Sequence, residues 1–178
     1  MKTIFLILIS VLSSLSYAGC TQNRTSQKKQ PITREQLIAV NRMLVSRDSA
    51  RIAAYVKDKS LALHFMPTGM WFHIDSLGQG ALAQKGQVIV LDYTLSLLDG
   101  TVCYQSSELG AKRFLIGQGG VETGLEEAVL HLRKGDGATL ILPPHLAHGL
   151  VGDDNKIPSR AIIRYDLTVI DLLNASEK

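Results

Sequence analysis

The chain has 178 residues, of which 46% are hydrophobic, 20% are charged and 6% are aromatic. This length suits one domain with appendages, and the composition excludes a chain that is disordered throughout. The formal net charge is only +3, and no long run of Lys and Arg provides the surface typical of nucleic-acid binding. We therefore expect one hydrophobic core and no nucleic-acid partner.

The first residues have the pattern of an export signal. Lys2 supplies a positive start, and residues 4–11 form an apolar run that is too short for an ordinary membrane-spanning helix. Small or polar residues then lead to Ala18, Gly19 and Cys20. We predict that residues 1–19 are a lipoprotein signal peptide.

The segment ending at Cys20 resembles a bacterial lipobox, in which the cysteine thiol receives a diacylglycerol. Tyr17 stands where that motif usually has Leu, and ordinary cleavage after Ala18, leaving Cys20 as a free thiol, is the alternative. With lipidation, the membrane becomes a partner through the N-terminal lipid. Thr21 rather than Asp follows the cysteine, so we expect a cell-envelope protein anchored in the outer membrane and facing the periplasm.

A polar segment and a helical segment come next. Residues 20–31 contain almost nothing to bury and predict a flexible tether. Residues 32–63 predict a helical arm, with Thr33 and Gln36 as its capping box. Apolar residues recur there at helical spacing: Leu37, Val40, Leu44, Ile52, Tyr55 and Val56. The arm is one long helix or two, and it packs on the main domain or on a second copy, which would make a homodimer.

Residues 64–178 change to a strand pattern and predict the main domain. Strands are expected at residues 70–74, 88–95, 102–104, 114–116, 138–142 and 161–173. Residues 121–134 predict the domain's only internal helix, terminated by Gly135. Residues 143–158 are too rich in Pro, Gly and Asp for regular structure. The order predicts an α+β fold, in which an antiparallel sheet wraps around one short helix.

Short signatures follow one another along this domain. They are Gly69-Met70-Trp71-Phe72, Tyr93-Thr94, Leu98-Asp99-Gly100-Thr101, Ser106-Ser107, Ile116-Gly117, the stretch from Val121 to Ala128, the stretch from Ile141 to Gly149, and Ile157-Pro158. Their order and spacing over residues 67–173 resemble the FKBP family of peptidyl-prolyl isomerases. Together with the lipobox, tether and helix, the chain is most similar to the gliding-motility-associated FKBP-type lipoproteins. The resemblance implies an FKBP-like fold and a membrane-tethered isomerase that acts on proline-containing polypeptides among exported proteins.

Rotation about an X-Pro bond is slow because it breaks amide resonance, with a barrier of roughly 18–20 kcal/mol. A catalyst needs an apolar pocket for the proline ring and a few fixed hydrogen bonds that favour the twisted amide. Leaving water also disfavours the more polar planar amide. This chemistry requires no nucleophile, and we expect no cofactor and no metal.

The resemblance assigns site residues position by position. As catalytic residues it implies the aromatic wall Tyr93, the backbone segment Val121 and Glu122 that binds the substrate carbonyl, and His148. As substrate-binding residues it implies Cys103, Tyr104, Phe114, Leu125, Ile157 and Tyr165, with Ile157 on the loop that covers the proline ring.

Several of these positions depart from the family pattern. Leu125 replaces the Trp of the pocket floor, and Cys103 with Tyr104 replaces a Phe-Asp pair, so one apolar wall shrinks and a buried carboxylate disappears. His148 replaces a Tyr whose hydroxyl binds the substrate backbone, although a histidine nitrogen can also donate. We expect altered activity. The alternative is a non-catalytic peptide-binding or protein-binding lipoprotein of an envelope machine of the gliding type.

Other interpretations compete at individual residues. His145 and His148 are spaced like a metal pair, but no Cys or carboxylate cluster completes a site. Cys103 fits a small apolar wall better than a nucleophile. Residues 153–155 resemble a calcium-loop fragment, but a solvated turn fits better because the Gly and the distal Glu are missing.

Overall fold

The structure, a computed structural model, describes residues 32–174. In chain order its elements are helix α1 (Arg34–Asp58), β1 (His64–Phe65), β2 (Trp71–Ser76), β3 (Gln87–Leu97), β4 (Val102–Gln105), α2 (Ser106–Leu109), β5 (Lys112–Leu115), α3 (Thr123–Val129), β6 (Gly137–Leu142), a 3-10 turn (Pro144–Leu146) and β7 (Ile163–Asn174). The predicted signal peptide, Cys20 and tether lie outside the described residues.

The strands form one antiparallel sheet in the order β1-β2-β6-β7-β3-β4, and β5 also pairs with β3. β4 pairs with residues 94–96 of β3 and β5 with residues 88–91. Tyr93 lies between these two pairings. Its backbone N–H donates to Ser106 Oγ at 3.1 Å. This bond replaces the strand partner that Tyr93 lacks on the side of β4 and β5. The predicted Ser106-Ser107 signature thus lies where the sheet opens beside Tyr93.

The core lies between the sheet and α3, whose Leu125, Ala128 and Val129 are fully buried. α3 is shorter than the predicted helix over residues 121–134. After Val129 the chain tightens, as the Leu132 N–H donates to the Val129 carbonyl. The carboxylate of the buried Asp136 accepts the backbone N–H groups of Gly78 at 2.6 Å and Arg133 at 2.7 Å, so residues 133–136 form a turn instead of a last helical turn.

The sequence interpretation missed the short helix α2. It spans only four residues between β4 and β5, so no hydrophobic period could reveal it. The prediction that the domain has only one internal helix was therefore wrong.

Helix α1 is a single helix of 25 residues. Its C-terminal half packs on the face of the sheet opposite α3, where Ile52 and Val56 share a second apolar cluster with Leu63, Ile141 and Ile162. Its N-terminal half leaves apolar side chains exposed, among them Leu37, Val40 and Met43. The arm therefore packs on the domain through half of its length, while the boundary at residue 64 stays a prediction. Across residues 32–174, no helix is both long and apolar enough to cross a bilayer.

Candidate active site

Neighbouring strands bring two tyrosine rings together in the core. Tyr93 lies on β3 and Tyr165 on β7, and the register pairs Tyr93 with Leu167 and Leu95 with Tyr165. The ring centroids are 6.0 Å apart and the planes are tilted by 51°, a favourable arrangement for two aromatic rings. Leu125, Cys103 and Ile157 belong to the same apolar cluster, and Phe114, Val121 and Tyr104 pack against it. The structure thus brings together all the apolar residues that the sequence assigned to the site.

Glu122, directly before α3, carries the buried carboxylate of the site. Its Oε1 accepts the Tyr165 hydroxyl at 2.8 Å and lies 3.0 Å from Nε2 of His148. Its Oε2 accepts Lys112 Nζ at 3.2 Å. The Glu122 side chain is only 6% exposed. A carboxylate this deeply buried requires such partners, because transfer of an unpaired charge from water costs several kcal/mol.

Lys112 is a site residue that the sequence interpretation missed. Its Nζ also donates to the Tyr165 hydroxyl at 2.8 Å and lies 5.6 and 5.3 Å from the ring centroids of Tyr93 and Tyr165. These distances fall within the range of cation–π attraction. The alternation of side chains along a strand could have indicated Lys112. It stands two positions before Phe114 on β5, so the two side chains lie on the same face.

The network sets the protonation of its members. Burial alone would raise the pKa of the Glu122 carboxyl, but the charge of Lys112 and hydrogen bonds from its own backbone N–H, Tyr165 and Lys112 hold that pKa below its ordinary value. Burial and the nearby Glu122 raise the pKa values of Tyr165 and Tyr93. At neutral pH the site therefore holds an ionised carboxylate and neutral phenols, and the Tyr165 hydroxyl can donate.

The loop of residues 143–162 carries His148 and Ile157 over this site. Tyr104 anchors the loop by donating its hydroxyl to the Asp153 carboxylate. Asp153 Oδ1 in turn accepts the backbone N–H groups of Asn155 at 3.0 Å and Ile157 at 2.7 Å. The segment predicted to be a solvated turn is thus a hydrogen-bonded anchor for Ile157, and Tyr104 contributes to the site through the position of this loop.

Cys103 lies below the same loop and is 1% exposed. Its Sγ is 3.5 Å from the carbonyl oxygen of Lys156. Burial, followed by the charge of Asp153, raises the pKa of its thiol. A neutral, enclosed thiol is a poor nucleophile, which agrees with its interpretation as an apolar wall.

The apolar part of the site is closed and the polar part is open. Leu125 and Tyr165 have no exposed surface, and Ile157 and Tyr93 are only 2% and 8% exposed. A surface cavity of about 340 Å³ lies beside them, lined by Lys112, Gly120, Val121, Glu122, Ala147 and His148. Leu125 is therefore enclosed in this structure, whereas Glu122 and His148 border the cavity.

The two histidines considered as a metal pair have separate partners. His145 Nε2 lies 3.2 Å from the carbonyl oxygen of Thr68, whereas His148 faces Glu122. Within residues 32–174, no three His, Cys, Asp or Glu side chains are grouped closely enough to hold a metal ion.

Comparison with known proteins identifies the fold and the family. Residues 80–170 match the family described as FKBP-type peptidyl-prolyl cis-trans isomerase. Peptidyl-prolyl cis-trans isomerase FKBP9 of Mus musculus is 32% identical over 94 residues, which are 52% of this chain and 16% of that protein. The chain therefore spans only a small part of that curated relative.

Two solved structures share the fold. The crystal structure of AtFKBP13 is 29% identical with a TM-score of 0.58, and the match covers 61% of this chain and 97% of that one. The crystal structure of FkpA from Escherichia coli is 20% identical with a TM-score of 0.61, and the match covers 98% of this chain and 82% of that one. This second match shows a similarity of fold. The predicted FKBP-like α+β fold with an N-terminal helix is confirmed. The chain belongs to the FKBP-type peptidyl-prolyl cis-trans isomerase family.

Proposed function

We propose that the chain is a membrane-tethered peptidyl-prolyl cis-trans isomerase that assists the folding of exported proteins containing X-Pro bonds. The observation that carries the proposal is the junction of an apolar cluster, formed by Tyr93, Leu125, Ile157 and Tyr165, with an open polar cavity at Val121 and Glu122. An apolar pocket beside fixed hydrogen-bonding groups is what rotation of an amide requires.

In this mechanism the chain's residues bind and orient the substrate. The loop carrying Ile157 lifts, the proline ring enters beside Tyr93 and Leu125, and the loop closes to exclude water. Removal from water disfavours the polar planar amide relative to the twisted form. The backbone N–H of Glu122 binds the carbonyl before the proline, and His148 binds the neighbouring backbone.

The decisive measurement is the isomerisation of a short X-Pro peptide by residues 32–178. We expect acceleration that the double substitution Tyr93→Ala and His148→Ala reduces at least about tenfold, since each tenfold loss corresponds to about 1.4 kcal/mol of transition-state binding. Glu127→Gln on α3 is the control. The Glu127 carboxylate accepts the hydroxyl of Thr68, an exposed residue that is not assigned to the site. A folded fragment that fails to accelerate the reaction would rule out the enzyme.

The second candidate is a peptide-binding or protein-binding module of an envelope machine of the gliding type. The closed state of the apolar cluster favours it, as does the use of Tyr104 and Asp153 to hold the loop down. The same peptide distinguishes the two functions. Binding without acceleration, lost on Tyr93→Ala and His148→Ala, would establish the module.

We propose that Cys20 carries the lipid and tethers the protein in the outer membrane, facing the periplasm. The support is the sequence from the apolar run at residues 4–11 to Ala18, Gly19 and Cys20. We expect the mature chain to begin at Cys20 with the mass of a diacylglycerol, and Cys20→Ser to release it from the outer-membrane fraction. A mature chain that begins at Gly19 with a free thiol would show ordinary cleavage instead.

We also propose a homodimer through α1. Leu37, Val40 and Met43 are 57%, 49% and 61% exposed on the N-terminal half of this helix, and contact with a second copy would remove this apolar surface from water. Sedimentation of residues 32–178 should give a dimer that Leu37→Glu dissociates. A monomer at high concentration would contradict it.

A further inference from the structure

Helix α1 carries a buried acidic residue that faces the loop over the site. Asp48 is 3% exposed. Its Oδ2 accepts Arg160 Nη2 at 2.6 Å, a contact between residues 112 positions apart in the chain. The arm and the loop of residues 143–162 are thus joined by a charged hydrogen bond, which is among the stronger types in proteins.

Arg160 stands at the base of the part of the loop that covers the site. Its backbone N–H donates to the carbonyl of Gly149 at 3.1 Å, which closes the segment of residues 149–160. Its φ of +58° lies in the left-handed region, which a residue with a side chain adopts at a cost. The guanidinium of the same residue makes the contact with Asp48. Asp48 therefore contacts the base of the loop, as Tyr104 contacts Asp153 in the part that carries Ile157.

The contact is not arranged for maximum stability. Asp48 Oδ1 and Arg160 Nε are buried without a hydrogen-bond partner among the described residues, and Oδ1 has only a long ion-pair contact, 3.9 Å from Nε of the exposed Arg47. A buried ion pair with unsatisfied atoms adds little net stability, because the cost of removing the charges from water offsets their attraction. What the pair does supply is a fixed distance between α1 and the loop.

We propose that Asp48 is a positioning residue: through Arg160 it holds the loop so that His148 and Ile157 face Tyr93 and Glu122. The N-terminal helix then belongs to the functional unit and is more than a spacer between the membrane and the domain. The kinetic part of this inference rests on the proposed isomerase function, whereas the structural part does not.

The test uses the full-length chain with Asp48→Asn, Arg160→Gln and the double substitution. Hydrogen exchange reports the loop directly. We expect exchange of the backbone N–H groups of Ile157 and Arg160 to rise at least tenfold in each variant, with no change in β3 and β7. Asp58→Asn is the matched control, since Asp58 lies on the same helix and its exposed carboxylate pairs with the exposed Lys59 at the surface. Unchanged loop exchange in the variants would overturn the proposal, whether or not the chain is an isomerase.

The kinetic readout separates positioning from a general loss of stability. For X-Pro peptide isomerisation we expect KM to rise about tenfold with kcat changed less, and the double variant to be no worse than either single one. Arg160→Lys, which keeps a charge for Asp48, should recover part of the loss. Faster loop exchange with wild-type kinetics, or additive effects of the two substitutions, would contradict a positioning role. If Asp48→Asn does not fold, Arg160→Gln decides, because its side chain is the more exposed of the two.

Discussion

Gly152→Ala is expected to remove most of the proposed isomerase activity while the core stays folded. Gly152 has a φ of +81°, and a Cβ there would lie 2.2 Å from the carbonyl oxygen of Ile157 and 2.7 Å from the carbonyl carbon of Pro158. Both obstacles are backbone atoms, so the segment that carries Ile157 must move. Because Ile157 covers the predicted proline site, we expect kcat/KM to fall at least about tenfold, which corresponds to about 1.4 kcal/mol.

Gly149→Ala is the matched control for this prediction. Gly149 lies in the same loop with a φ of +66°, but a Cβ there would meet nothing within 4 Å. Both substitutions add the strain of a left-handed alanine, about 1–2 kcal/mol, and only Gly152→Ala adds a collision. The thermal unfolding temperature should fall by several degrees in both variants because of this strain, while the main sheet, which lies outside the loop, stays folded. Equal activity of the two variants would show that the position of this loop does not govern the reaction.

Glu122→Gln is expected to destabilise the fold by roughly 2–4 kcal/mol. Breaking a buried ion pair typically costs about 3–5 kcal/mol, and we expect less here because the Lys112 side chain is 24% exposed. The substitution leaves Lys112, and the hydroxyl of Tyr165, without their anionic partner. Urea unfolding at pH 7 measures the loss, with Glu127→Gln on α3, the helix that Glu122 precedes, as the control. A change below about 0.5 kcal/mol would show that the network contributes nothing to stability.

The same variant predicts a pH dependence. The folded pKa of Glu122 lies below the ordinary carboxyl value of 4.5, so the ionised form binds its partners more strongly in the folded state than in the unfolded state. Its contribution is complete above pH 4.5 and is lost as the pH falls through the lower folded pKa. The difference in stability between wild type and Glu122→Gln should therefore shrink below pH 4.5. If the difference in stability between the two proteins is constant from pH 7 to pH 3, the charge of Glu122 does not cause it, and the substitution acts through packing alone.

The arrangement of Glu122, Lys112, Tyr165 and His148 distinguishes this site from a purely apolar proline pocket. The Lys112 ammonium lies above both tyrosine rings and neutralises the carboxylate. In the proposed function, a charged group at the rim would cost desolvation when a proline ring binds, and altered activity stays a prediction. The open cavity beside it offers a polar surface for the substrate backbone.

The sequence by itself determined the elements whose cause is local. Alternating and β-branched residues predicted β3 and β7 to within a few residues, and apolar spacing placed α3 and the arm. The resemblance to the FKBP family assigned Tyr93, Leu125 and Tyr165 to the site, and each occupies an inward position of such an element. The ordered family signatures then placed them in one pocket, and the structure brings them together in one core.

Only the tertiary structure decided what depends on contacts between distant parts of the chain. The end of α3 is set by the Asp136 turn with Gly78, the loop is held by Tyr104 with Asp153 and by Asp48 with Arg160, and the site contains Lys112. The pairs Gly78–Asp136 and Asp48–Arg160 are 58 and 112 residues apart. Local periodicity carries no information on such pairs, because a side chain's partner across the fold is chosen by packing and by the need to satisfy buried polar groups.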